Sequence, residues 1–126
     1  MTSVEVSVGE LLDKLTILEI KKERISDPEK LRHIENEFNI LSGIAMRYLE
    51  SKEVLDIFMQ LKKVNSDLWI IEDDLRDLES KKDFGKEFIE KARSVYFTND
   101  KRFELKNEIN QITGSNIREQ KGYKKY

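Results

Sequence analysis

Between Lys52 and Lys82 one apolar seam, Leu61, Val64, Leu68, Ile71, Leu75 and Leu78, advances in steps of 3, 4, 3, 4 and 3 residues. Those steps hold a single stripe of a helix to one side, so this stretch needs a packing partner along its whole length. At ~1.5 Å per residue the helix is roughly 45 Å long, more than an ordinary small domain is wide. Asn65 and Ser66 are weak helix formers inside it, yet the register passes them without a phase shift, which predicts one continuous helix.

The rest of the chain has little with which to build anything but more helix. Five Gly and one Pro among 126 residues are too few to punctuate many short strands, which excludes a sandwich or a barrel. Charged and hydrophobic residues each make up 38%, against about a quarter charged in an average domain. Narrow buried stripes with broad wet faces follow from that balance. The expected architecture is a single all-α domain over residues 1–126, an antiparallel bundle of about five helices on the long central one. A net charge of −2 exerts no long-range pull on nucleic acid or anionic lipid, and neither is expected as a partner. The absence of cysteine removes disulfides, thiolate nucleophiles and thiolate metal ligands. The lone histidine, His33, cannot assemble a multi-histidine metal site within one chain and reads as a surface residue. No apolar run approaches 18 residues and the N-terminus does not read as a signal peptide, so a soluble cytoplasmic protein is expected.

Residues Ser3 to Val6 alternate polar and apolar as a short extended arm would. Ser7-Val8-Gly9-Glu10 has the form of a capping box opening a first helix to about Ile25. Lys22 lies on the apolar stripe of that helix, either as a lysine snorkelling at the edge or as one paired with a carboxylate across the bundle. Asp27-Pro28 opens a second helix to about Glu50, inside which Gly43, beside Ala45, is either a place for another helix to approach or an accident of drift. Ser51 caps the long third helix. Asp83-Phe84-Gly85 ends it and opens a fourth, from Phe84 to Phe97. Thr98-Asn99-Asp100, a cluster of capping residues, predicts a turn before a fifth helix that stops at Gly114. The tail from Ser115 to Tyr126 is basic and polar and is expected to fray.

Three groups of residues are candidates for chemistry. Trp69, Glu72, Asp73 and Arg76 share one edge of the long helix, and Glu72 lies beside its seam. The structural account is a partly buried carboxylate satisfied by Lys22 or Arg93 from a neighbouring helix. The functional account is an acidic patch for a hard cation or a cationic group. Glu50-x-x-Glu53 and Asp74-x-x-Asp77 form a second group that loosely resembles the paired acidic helices of all-helical nucleotide pyrophosphohydrolases. Those enzymes hold Mg²⁺ between helices and activate a water against a phosphoanhydride. That reading requires the chain to reverse near Asn65-Ser66, and Mg²⁺ enters only under it; otherwise no cofactor is expected. The third group is Arg93, Tyr96, Asn99, Asp100 and Arg102, where a helix end beside arginines would hold an anion. Its structural account has Asn99 or Asp100 capping the fifth helix and Arg93 paired with the acidic run.

Taken together, Ser7 to Lys21, Leu68 to Arg76, Asp83-Phe84-Gly85, Arg93 to Tyr96 and Asn99 to Arg102 resemble a family of small all-helical domains of unknown function. The resemblance runs from about Val4 to Tyr123. Such domains occur alone in bacteria and phages or attached to repeat and glycosyltransferase segments, and commonly have Pro where this chain has Val8. The resemblance implies shared polar positions at Glu10, Lys14, Glu19, Glu72, Asp73, Arg76, Arg93, Asn99 and Arg102, without assigned roles. The reading that results is a non-catalytic helical interaction module, a homo-oligomer or a binder of another protein. Its apolar surplus is expected at Leu55, Ile57, Phe58 and Met59. The alternative is a metal- or anion-dependent enzyme with its site at Lys22, Glu72, Asp73 and Arg93.

Overall fold

The structure, a computed structural model, describes residues 2–115. Four helices follow one another, α1 Val8–Arg24, α2 Pro28–Leu49, α3 Lys52–Ser80 and α4 Lys86–Thr113. Three of the four starts are made by hydrogen bonds local in sequence. Ser7 Oγ accepts from the Glu10 amide at 3.1 Å, Asp27 from Lys30 at 3.3 Å and Ser51 from Val54 at 3.3 Å. Pro28 occupies the first turn of α2, where its missing N–H costs nothing. Gly114 closes α4 in the left-handed region at φ 69°, a conformation glycine adopts without strain.

α3 runs through Asn65 and Ser66 without a break, as the seam requires. Two expectations fail. The fourth and fifth helices are one: Thr98, Asn99 and Asp100 lie inside α4, 28 residues long against 29 for α3. Thr, Asn and Asp prefer caps but are only mildly unfavourable inside a helix, so tertiary packing overrides the preference. Here Asn99 faces a cavity shared with α1 and α3, described below. Nor is the bundle organised on the long helix alone. The shortest helix, α1, buries seven of its 17 residues, whereas α3 buries eight of 29. Both α1 and α3 touch every other helix.

The main core gathers Leu12 and Leu15 of α1, Ala45 of α2, Ile57, Phe58 and Leu61 of α3, and Leu105 and Ile109 of α4. It therefore lies against the first half of α3 and the second half of α4. Ile57 and Phe58, expected to be uncovered, are buried; of that group only Leu55 and Met59 remain exposed. Gly43 admits no neighbour: nothing lies within 4 Å of where its Cβ would be. At the α1–α3 crossing, Lys62 Nζ lies 2.7 Å from Glu23 Oε1 and 3.2 Å from Glu19 Oε2. The Glu23 hydrogen bond, with Glu19 behind it, raises the Lys62 pKa above its ordinary 10.5. The resulting stabilisation is whole below that value and is lost as pH rises through the raised one.

The start of α1 is pinned to the end of α4. Asn110, fully buried, accepts from the Gly9 amide at 2.7 Å, and Ser115 Oγ accepts from the Val8 amide at 3.1 Å. Ser115 thus belongs to the packed structure, while the rest of the expected fraying tail lies outside the described residues. Glu10 does not complete the capping box with its side chain; its Oε2 lies 2.8 Å from the buried Lys106 Nζ. Glycine is demanded at position 9 by close approach. A Cβ there would sit 2.5 Å from the Lys106 carbonyl oxygen and 2.8 Å from Asn110 Oδ1. Gly9→Ala is expected to lower the unfolding free energy by about 1–3 kcal/mol in urea denaturation, the cost of overpacking against backbone.

Candidate functional site

One turn further along α1, beyond the Gly9 contact, stands the most buried carboxylate of the described chain. Asp13 is 1% exposed. Arg102 of α4 meets it with two parallel bonds, Nε to Oδ1 at 2.9 Å and Nη2 to Oδ2 at 2.5 Å. Asn65 of α3 donates to the same Oδ1 at 2.9 Å and to Thr16 Oγ1 at 2.7 Å. The Thr16 hydroxyl in turn donates to the Asp13 carbonyl at 2.7 Å. Three helices are thereby tied at one carboxylate. A charge taken out of water is tolerable only with its lone pairs satisfied, and here both oxygens accept. The paired geometry of the guanidinium fixes the rotation of α4 against α1 as well as their separation.

Beside this knot the three helices leave a cavity of about 230 Å³. Ile17 and Ile20 of α1, Asn65, Leu68, Trp69 and Glu72 of α3, and Asn99 and Arg102 of α4 line it. The seam-edge positions Trp69 and Glu72 thus do come together with Asn99 and Arg102. The other expected site residues do not. Lys22 stacks over the Phe38 ring, 4.0 Å from its centroid, and so serves the α1–α2 contact. Asp73 is exposed. Arg76, also exposed, lines a second, outer groove. Arg93 is exposed on α4 and donates to Tyr96 Oη at 3.4 Å. Glu72 is itself exposed and makes no ion pair with Lys22 or Arg93, so the expected partly buried pair is absent. Its four-residue neighbourhood neither closes into ion pairs nor converges on one pocket.

The acidic pairs of the pyrophosphohydrolase reading are also apart. Glu50 closes α2 and Glu53 stands in the first turn of α3, while Asp74 and Asp77 lie on the far half of α3, and the uninterrupted helix keeps them apart. Asp74 Oδ2 is 2.7 Å from Lys91 Nζ and Asp77 Oδ2 is 3.0 Å from Lys81 Nζ; each hydrogen bond raises its lysine's pKa. Among the described residues no group of three or more carboxylates and histidine is placed to hold a metal. The anion reading of Arg93 to Arg102 fails for another reason: α4 has no end there, and Arg102 is spent on Asp13. Of the other polar positions, Lys14 pairs with Glu37 at 3.0 Å, and Glu10 and Glu19 with Lys106 and Lys62.

Asp13, Thr16 and Asn65 were not singled out in sequence. Asn65 follows Leu61 by four and precedes Leu68 by three, which places a polar side chain on the seam, and that spacing was the available signal. Because Glu72 is exposed and unburdened, Glu72→Ala is expected to change the unfolding free energy by no more than about 0.5 kcal/mol. Chemical denaturation of the two proteins side by side checks it. A loss above 1 kcal/mol would restore the buried carboxylate that the sequence suggested.

The chain matches a protein family over residues 2–126, described as a family of unknown function (DUF6165), and it belongs to that family. No curated protein matches it, and neither does any solved structure. Among the described residues no helix is long and apolar enough to cross a membrane.

Proposed function

We propose that this member of the family is a non-catalytic helical module that self-associates through the outer half of its α3–α4 hairpin. One observation carries the reading: the two longest helices continue past the end of the core with no third helix among the described residues to cover their outer half. Between Trp69 and Phe97 only Leu78 is buried, while Ile70, Phe84, Ile89, Tyr96 and Phe97 are exposed. On one face of this arm Leu75, Phe88, Ala92 and Val95 floor an open groove of about 380 Å³, edged on α3 by Glu72, Arg76 and Glu79. Two helices alone seal too little apolar surface to stand in water, and so many uncovered apolar side chains along one arm mark an interaction site.

A second copy of the same arm fits the charge as well as the apolar face. The α3 edge of the groove is acidic apart from Arg76, and α4 carries the exposed Arg93 with no carboxylate bound to it among the described residues. A two-fold axis across the groove sets the acidic edge of one copy against Arg93 of the other, and the apolar floors close into a four-helix layer. Light scattering at tens of micromolar is expected to give twice the chain mass of 14.9 kDa. Ile89→Lys, which places a charge in the patch at a position 55% exposed, is expected to give the single-chain mass with an unchanged helical signal. A single-chain mass for the wild type overturns the reading, and a dimer unaffected by Ile89→Lys moves the interface off the arm.

A further inference from the structure

The cavity beside the Asp13 knot lies on the inner side of the arm, closed by α1 and thus formed within one chain. Its floor is apolar: Ile20 is 1% exposed and Leu68 8%. Trp69, the only tryptophan of the chain, lines it beside Glu72. The charges around it do not cancel. Asp13 and Arg102 neutralise each other through their paired bonds, which leaves Glu72 as the one carboxylate on the lining without an ion pair among the described residues. Arg76, one turn beyond, faces the outer groove, and Lys22 is held over Phe38.

We propose that this cavity binds a small organic ammonium ion, its short apolar body on Ile20 and Leu68 and its cation between Glu72 and the face of Trp69. A carboxylate and an aromatic face on one wall attract a cation from two directions, and the apolar floor favours an alkyl group over a bare hydrated ion. The volume of about 230 Å³ lies below that of drug-sized sites, which sets the ligand at a handful of heavy atoms. The buried ion pair behind the wall fits such a role. Apolar residues of similar volume would hold three helices together at least as well, whereas a fully bonded knot also fixes the orientation of Asn65 and Arg102 where they face the cavity.

Trp69 supplies its own reporter. Titration of the full chain with n-butylammonium chloride, at ionic strength held constant with NaCl, is expected to give a saturable change in tryptophan emission with a millimolar midpoint. n-Butanol over the same range is expected to give none. Glu72→Gln is expected to weaken the midpoint at least tenfold. Asp73→Asn removes the same charge from the adjacent residue, outside the cavity, and is expected to shift the midpoint less than threefold. No saturable change, an equal response to butanol, a smaller effect of Glu72→Gln or a larger one of Asp73→Asn each overturns the proposal. The titration is run in parallel on the Ile89→Lys chain, which separates it from self-association. Binding is expected in both, and binding confined to the wild type would place the site between copies and overturn it.

Discussion

The position of every helix in this chain depends on how α1 is held, and α1 is held by buried polar bonds rather than by its apolar stripe alone. Leu12 and Leu15 place it over the core, but apolar contact tolerates sliding and rotation. Asp13 does not: its carboxylate must receive Arg102 and Asn65 together or be left as an unpaired charge in a dry place. One turn earlier, the Gly9 amide must meet Asn110, at a separation that excludes even a methyl group. The two contacts set the register of α1 on α4, and through Asn65 the register of α3.

A consequence of that arrangement is an asymmetric molecule. With 17 residues, α1 reaches only part of the way along helices of 29 and 28. The covered part contains the core, and the uncovered part is a hairpin with its seam packed on one side and a groove open on the other. The cavity lies at the boundary, where Ile17 and Ile20 meet Trp69 and Glu72. Its rigid wall comes from the knot; its access comes from α1 ending there.

The fold was legible where the determining bonds are local. Ser7, Asp27 and Ser51 cap their helices three residues on, and such pairs can be read from spacing. The seam of α3 carried its own continuity through Asn65 and Ser66. What could not be read was set by long-range contact. Thr98-Asn99-Asp100 has the composition of a helix start, but in place it continues α4, with Asn99 turned to α1 and α3. Glu72 looked buried because it borders the seam, yet it lies at the rim of the cavity beside α1 and stays exposed. Lys22 shares the stripe of α1 and turns to Phe38 instead of a carboxylate. Of the seven expected site residues, Glu72, Asn99 and Arg102 do share a cavity, because they lie on facing edges of one hairpin. The partner that holds Arg102, Asp13, is 89 residues from it along the chain and had no local signature.

A double-mutant cycle on Asp13 and Arg102 tests the central claim most directly, with stability read by urea denaturation of Asp13→Ala, Arg102→Leu and the double variant. If Asp13 is the point at which the helices are tied, Arg102→Leu leaves its carboxylate, 2% exposed, without the guanidinium, and Asp13→Ala removes the acceptor shared by Arg102 and Asn65. Arg102→Leu then costs about 3–5 kcal/mol, and the coupling between the two positions is about 2–3 kcal/mol. Coupling below about 0.5 kcal/mol, as for residues acting independently, would contradict it.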